Sequence, residues 1–153
     1  MKIIRANEMG SYIAIPMEYR FIDVVKVQEN EAWGRKLAST QDWYFKIHFP
    51  EYPVMPGVFV MEAVMQTGVF IVTSRENIKE KLVMFHACKS MRMYGEVRPG
   101  DILNTHTILK SYRRGVANYF GEAFIKDDKR VCQMEFTLVL PGELRKETPR
   151  AGS

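Results

Sequence analysis

The sequence predicts an α+β fold in which an antiparallel sheet wraps around one long helix. In the segment Gly57–Thr73, apolar residues occur on every face, which is typical of a helix buried on all sides. The chain that follows it reads as several long strands joined by tight turns. Such a helix needs a sheet against one side and further cover on the other. The simplest further cover is a second copy of the chain.

The elements are predicted in the following order. Strands are expected at 21–27 and 33–38, and a short helix or an extended segment at 42–47. The long helix begins after Pro56, because a proline suits the first turn, where its missing N–H is not needed. Four further strands are predicted at 82–97, 101–112, 117–126 and 130–140. Turns are expected at 99–101, 114–115 and 127–128.

Length and composition indicate one domain. The chain has 153 residues, of which 46% are hydrophobic and 26% charged, enough for a core and unlike a disordered chain. We assign 1–142 to the domain and predict that the polar segment 143–153 is disordered. The apolar stretch 58–72 is too short and too polar to span a membrane. Cys88 and Cys132 show no metal-ligand spacing and are predicted to be reduced thiols in a cytoplasmic protein.

Two polar residues in the helix are candidates for chemistry. Glu62 and Gln66 are four residues apart and therefore share a face. A carboxyl group buried among apolar residues has a raised pKa and can act as a general acid near neutral pH. The alternative is that Glu62 faces solvent or pairs with a surface lysine, which its apolar neighbours disfavour.

A histidine and the start of the helix supply two further candidates. His48 lies in a proline-rich loop, where a neutral imidazole could accept a proton, although it could also serve only to bond the local backbone. Backbone N–H groups at Gly57 could polarise a carbonyl group, because the first N–H groups of a helix lack partners within it. His86 and His106 are predicted to be structural or surface residues, and the three histidines lack the spacing of a metal site.

These residues resemble a known family. The run His-Phe-Pro-Glu-Tyr-Pro-Val-Met-Pro-Gly-Val from His48 onward, with Glu62 placed 14 residues after His48, is similar to the (3R)-hydroxyacyl-[acyl-carrier-protein] dehydratases of the FabZ type. Gln66 also matches a glutamine of that family. Weaker matches at 21–25, 97–101 and 114–131 extend the resemblance over roughly 12–140.

The resemblance implies a hot-dog fold, a homodimer or trimer of dimers, and a lyase of fatty acid synthesis. His48 would remove the α-proton of a 3-hydroxyacyl thioester. Glu62 of the other chain would protonate the leaving hydroxyl group. Gly57, Val58 and Gln66 would bind the substrate, with the N–H of Gly57 on the thioester carbonyl. The product would be a trans-2-enoyl thioester, with no metal or organic cofactor. Glutamate rather than aspartate at position 62 favours this type over the related dehydratase that also isomerises the double bond.

The partner implied by the resemblance is an acyl carrier protein. A net charge of +4 with scattered basic residues suits an acidic protein, and no pattern typical of nucleic-acid binding is present. The candidate contacts are basic residues in or near the later strands, namely Arg92, Arg98, Lys110, Arg113 and Arg114.

The sequence also departs from the family pattern. Glu51 and Tyr52 replace the common Gly-His, and 91–96 lacks the usual phenylalanine and proline. These changes make a specialised acyl chain, of a polyketide or polyene pathway, a plausible substrate. Two alternatives remain open: a hot-dog acyl thioesterase, and a non-catalytic acyl-binding hot-dog partner subunit. The presence of both His48 and Glu62 argues against each.

Overall fold

The computed structural model describes residues 1–144, which form seven strands, one long helix and several short helical turns. The strands are β1 (Lys2–Arg5), β2 (Val24–Gln28), β3 (Glu31–Leu37), β4 (Met84–Met93), β5 (Ile102–Arg113), β6 (Val116–Ile125) and β7 (Lys129–Val139). The α-helices are α1 (Gly57–Thr73) and the four-residue α2 (Pro141–Leu144), and the 3₁₀ turns are Ala6–Ser11, Met17–Tyr19, Trp43–Lys46 and Lys126–Asp128.

All seven strands belong to one antiparallel sheet in the order β1-β2-β3-β5-β6-β7-β4. The helix α1 packs against β2, β3, β5, β6 and β7, so the sheet wraps around it. The predicted α+β arrangement of one helix and an antiparallel sheet is confirmed. Within residues 1–144, no helix is both long and apolar enough to cross a membrane.

The edge strand β4 is unusual because its apolar side chains face solvent in the single chain. Met84, Phe85 and Met91 are 52%, 54% and 43% exposed. One edge of this ten-residue strand pairs with β7, and within residues 1–144 no strand pairs with the other. An exposed apolar edge of this length is a ready template for pairing with another chain.

The boundaries of α1 are confirmed, and in the single chain part of its first two turns is not covered by the sheet. Val58 is 65% exposed and Glu62 is half-buried, whereas every residue from Ala63 to Thr73 is buried. The uncovered part of the helix is therefore its N-terminal end, where the His48 loop joins it.

Other differences from the predicted elements have local causes. Residues 21–23 do not join β2, since the N–H of Phe21 is donated to the Gln66 side chain. The segment 42–47 forms a 3₁₀ turn. The strand β1 was not predicted, because it has four residues of which only Ile4 is buried. Of the tail predicted to be disordered, Glu143 and Leu144 lie in α2, and 145–153 lies outside the described residues.

The helix approaches the sheet closely at Gly34. A Cβ atom built there would lie 2.6 Å from Oγ1 of Thr67 on α1 and would also collide with Oγ1 of Thr105 on β5. The two hydroxyl groups are 2.6 Å apart and hydrogen-bonded, so neither can move freely. Glycine is required here because any side chain would separate the helix from the sheet.

Replacing Gly34 by alanine is therefore expected to lower the free energy of unfolding by about 1–3 kcal/mol, the usual cost of overpacking a core. Urea unfolding of both proteins measures the change. Gly10→Ala is the matched control, because a Cβ atom there would meet only the Arg20 guanidinium at 3.6 Å. Equal stability of the two variants would contradict the close helix–sheet contact.

Candidate functional site

His48 is held by the backbone of its own loop. Its Nδ1 lies 3.2 Å from the carbonyl oxygen of Val54, and its ring stacks on Phe49 with centroids 4.2 Å apart. A carbonyl oxygen can only accept a hydrogen bond, so Nδ1 of the neutral ring carries the proton. The lone pair is then on Nε2. The side chain is half-buried, and its geometry suits a base that acts through Nε2.

The loop around His48 is closed by its own hydrogen bonds. The N–H of Val54 donates to the carbonyl of His48 at 2.9 Å, and Phe49 and Tyr52 exchange two backbone bonds of 3.0 Å. The N–H of Met55 then donates to the carbonyl of Val97 at 2.8 Å, which ties the loop to the segment before β5. The position of His48 therefore depends on the shape of the whole loop.

The first turn of α1 presents unused donors directly after this loop. Phe59 and Val60 both donate to the carbonyl of Pro56, at 2.9 and 3.2 Å. Within residues 1–144, the N–H groups of Gly57 and Val58 take part in no hydrogen bond. Both donors lie at the positive end of the helix dipole, where a carbonyl oxygen that gains negative charge is stabilised.

Glu62 is held by a buried amide. Nε2 of Gln66 donates to Oε1 of Glu62 at 3.0 Å and to the carbonyl of Tyr19 at 2.8 Å, while Oε1 of Gln66 accepts the N–H of Phe21 at 2.8 Å. The backbone N–H can only donate, which fixes the orientation of the amide. Both amide protons are used inside the protein, and Gln66 is only 2% exposed. Gln66 thus fixes the position of Glu62.

An aromatic cluster surrounds the first turns of α1 beside Glu62. Phe59 is at its centre and stacks on Phe21 with centroids 4.7 Å apart, and Tyr19, Trp43 and Tyr44 lie within 6.2 Å of the Phe59 ring. Glu62 itself is half-buried. Burial accordingly raises the pKa of Glu62, and the hydrogen bond from Gln66 lowers it by a smaller amount. The pKa shift predicted from the sequence therefore has the expected direction and cause.

This raised pKa predicts how stability depends on pH. The Glu62 carboxyl group binds its proton more tightly in the folded protein than in the unfolded chain, where its pKa is near 4.5. The resulting stabilisation is complete below that pH and is lost as pH rises through the higher pKa of the folded state. Wild type should therefore lose stability relative to Glu62→Gln between pH 4 and pH 7, because the glutamine does not titrate. Urea unfolding at both values measures the difference, and a relative gain by wild type would contradict burial as the main cause.

The other histidines lie away from this region. His106 on β5 bonds Glu31 through Nε2 at 2.8 Å and stacks on Trp33 with centroids 5.1 Å apart. His86 is exposed on β4. Among residues 1–144, no group of three or more histidine, cysteine or acidic side chains could hold a metal ion.

The structure brings some of the predicted residues together and leaves others apart. Glu62 and Gln66 share a hydrogen bond, and Gly57 and Val58 follow the His48 loop directly. His48 and Glu62 do not bond each other within the described chain: their bonds are to Val54 and to Gln66. Backbone groups of Tyr19 and Phe21 also belong to the site, although the sequence does not predict this. No side-chain pattern marks them, since they act through a carbonyl and an N–H.

Comparisons with known proteins identify the family of the chain. The family model for the FabA-like domain matches residues 17–135. The 3-hydroxyacyl-[acyl-carrier-protein] dehydratase FabZ of Chloroflexus aggregans is 38% identical over 125 residues, which cover 79% of this chain and 86% of that protein. The enzyme of the same name from Clostridium botulinum is 34% identical over 143 residues, covering 91% and 97%.

Solved structures share the fold at low sequence identity. The dehydratase heterocomplex ApeI:P from Xenorhabdus doucetiae superposes with a TM-score of 0.73 at 15% identity, over 90% of this chain and 95% of that one. The PaaI protein of the E. coli phenylacetic acid degradation operon superposes with a TM-score of 0.59 at 13% identity, over 74% and 79%. The predicted hot-dog fold is confirmed. The extent and identity of the sequence matches show that the chain belongs to the FabA-like family, and within it to the 3-hydroxyacyl-[acyl-carrier-protein] dehydratases of the FabZ type.

Proposed function

We propose that the protein dehydrates a 3-hydroxyacyl thioester carried by acyl carrier protein and releases the trans-2-enoyl thioester. The observation that carries this proposal is the half-buried Glu62 carboxyl group, fixed by Gln66 on a helix whose first turn follows the His48 loop. An acid, a base and a carbonyl site are the parts that an α,β-elimination requires.

The reaction follows from these groups. Nε2 of His48 takes the proton from C2 of the acyl group, while the thioester carbonyl, bonded to the N–H groups of Gly57 and Val58, holds the developing negative charge. Glu62 gives its proton to the C3 hydroxyl group, the C3–O bond breaks, and water leaves as the C2–C3 double bond forms. Afterwards His48 is protonated and Glu62 is ionised, and proton exchange with water restores both. Gln66 orients Glu62 throughout and does not touch the substrate.

We propose that the active form is a homodimer with His48 of one chain facing Glu62 of the other. The exposed β4 edge offers a pairing surface, and the first turns of α1, including Val58, remain uncovered in the single chain. A second copy paired along β4 would extend the sheet and cover apolar surface on both chains. A trimer of such dimers remains the larger assembly that we predict.

An apolar cavity beside the site suits a hydrophobic acyl group. It measures about 340 Å³ and is lined mainly by Ile13, Ile15, Tyr19, Val69, Leu82 and Val83. Tyr19 links it to the site, since its carbonyl accepts a hydrogen bond from Gln66. We infer that the acyl chain enters this cavity. A second cavity, of about 380 Å³, opens beside Trp33 and Arg35 of β3 and is lined by no residue of α1.

The proposed activity is tested with a 3-hydroxyacyl group on acyl carrier protein. Enoyl-thioester absorbance should appear without added metal or cofactor, and no free thiol should be released. Thiol release without enoyl product would identify a thioesterase instead. Binding of the acyl carrier with neither product would identify a non-catalytic hot-dog subunit. A cytoplasmic location remains our prediction, and the two cysteines, both unpaired, are compatible with it.

The carrier is expected to dock at the end of the sheet where α1 begins. Arg92 is exposed near the end of β4, next to Met93, whose side chain lies against Gly57. Arg113 is at the far end of β5, roughly 36 Å along the strand from Ile102. Arg92→Glu should therefore raise KM for the carrier-bound substrate about tenfold and leave KM for a small thioester unchanged.

Arg113→Glu is the control for this prediction, since it makes the same charge change at the opposite end of the sheet. Steady-state kinetics on both substrates separates docking from chemistry. Equal changes in KM for the two substrates, or equal effects of the two variants, would contradict a carrier site near Arg92.

A further inference from the structure

Two departures from the family motif meet in the structure. Tyr52 belongs to the loop of His48, and Glu96 belongs to the segment that lacks the usual proline. The hydroxyl group of Tyr52 donates to Oε2 of Glu96 at 2.7 Å. Arg98 donates through Nη2 to the same hydroxyl group and, at 3.3 Å, to the same carboxylate oxygen. Its guanidinium also lies over the Tyr52 ring, 4.8 Å from the centroid.

Each group in this cluster has a fixed role. Arg98 can only donate hydrogen bonds and an ionised Glu96 can only accept them. The Tyr52 hydroxyl group therefore accepts a hydrogen bond from Arg98 and donates one to Glu96. The hydrogen bond from Tyr52, followed by the bonds and charge of Arg98, lowers the pKa of Glu96. Glu96 is therefore ionised at neutral pH, and the three side chains form one directed chain of hydrogen bonds.

The cluster includes Tyr52, which is part of the His48 loop. The backbone of Tyr52 makes both hydrogen bonds to Phe49, the residue after His48. The only backbone bond from the loop to the 96–98 segment within residues 1–144 is that of Met55 to Val97. The Tyr52 side chain adds a second attachment at the outer end of the loop, so the loop is held at two points.

We propose that Tyr52, Glu96 and Arg98 form a clamp that holds the His48 loop in the position from which His48 reaches the substrate. Tyr52 is in this role a positioning residue, since it acts through His48 and touches no reacting atom. The proposal rests on the dehydratase function proposed above. Because all three side chains are exposed, the clamp contributes little to global stability, and its effect is confined to the loop.

The test is Tyr52→Phe, which removes the hydroxyl group and keeps the ring under Arg98. We expect kcat to fall about tenfold, as for a modest misplacement of a catalytic group. KM should stay the same for carrier-bound and small substrates, and the urea unfolding midpoint should not change. Backbone amides of 48–54 should exchange with deuterium about fivefold faster in the variant, because the loop opens more often.

Four further variants test the clamp. Tyr94→Phe is the matched control, because Tyr94 is equally exposed and also lies under an arginine, Arg130, at 5.6 Å, but it is outside the clamp. Glu96→Ala should match Tyr52→Phe, and Glu96→Gln, which keeps an acceptor, should restore kcat to within about threefold of wild type. The double variant Tyr52→Phe with Glu96→Ala should be no worse than either single variant, because both remove the same attachment.

The outcomes separate the clamp from the proposed function. Unchanged exchange of 48–54 in Tyr52→Phe would overturn the clamp whatever the enzyme catalyses. A change only in KM for the carrier-bound substrate would also overturn it and assign the cluster to carrier docking. A wild-type protein without dehydratase activity, but with faster exchange in Tyr52→Phe, would refute the proposed reaction and leave the clamp as a loop-holding device.

Discussion

His48→Ala and Glu62→Gln are each expected to lower kcat for dehydration by about 10²–10⁴-fold, the usual contribution of a general base or acid. His48→Ala removes the Nε2 lone pair that takes the C2 proton. Glu62→Gln keeps the shape and the hydrogen bond to Gln66 but has no acidic proton to give to the C3 hydroxyl group. Enoyl-thioester absorbance under saturating substrate measures both effects.

His106→Ala is the matched control for the first variant, since His106 is tied to Glu31 and Trp33 and lies outside the proposed site. It should keep kcat within about twofold of wild type. If either His48→Ala or Glu62→Gln retained near wild-type kcat, the role assigned to that residue would be wrong. Loss of activity in a variant that still unfolds in one cooperative transition separates a chemical effect from misfolding.

Mixing the two inactive variants is expected to restore activity. If His48 of one chain works with Glu62 of the other, a heterodimer of His48→Ala and Glu62→Gln has one site with both residues intact and one with neither. Random pairing makes half of the dimers mixed, so about a quarter of all sites are active. The predicted rise is from almost none to about a quarter of wild-type kcat per chain.

Co-expression of the two chains with different affinity tags gives the mixed dimer directly. Each variant co-expressed with itself is the control and should remain inactive. A mixed dimer that stays inactive would place His48 and Glu62 of the same chain in one site. This result would leave the dehydratase proposal intact and remove only the shared-site geometry.

The long helix was predictable because its pattern is strong and local. Eleven apolar residues and two glycines in 17, no proline inside and a proline before the first residue left no competing interpretation of Gly57–Thr73. The raised pKa of Glu62 was predictable for the same reason, since a single carboxyl group in such a helix is partly desolvated. The last strand was predictable from alternation, since Cys132, Met134 and Phe136 alternate with polar residues and are all buried.

Features that depend on distant contacts could not be predicted. Nothing local in 21–23 shows that the N–H of Phe21 bonds a side chain 45 residues away. The exposure of Val58 depends on where the sheet ends relative to the helix, which is a property of the assembled fold. The pairing of Tyr52 with Glu96 could not be predicted for a related reason. Each residue appears in the sequence as a separate departure from the family motif, and only the fold places the two side chains next to each other.

The apolar edge of β4 has a consequence for how the protein is made. A single folded chain presents Met84, Phe85 and Met91 on the edge strand. Other exposed strands can pair with that edge, so a chain whose β4 edge stays uncovered is prone to aggregate. If the dimer forms along this edge, folding and association become one coupled equilibrium. The stability of the folded protein then depends on its concentration, and dilution favours the unfolded chain.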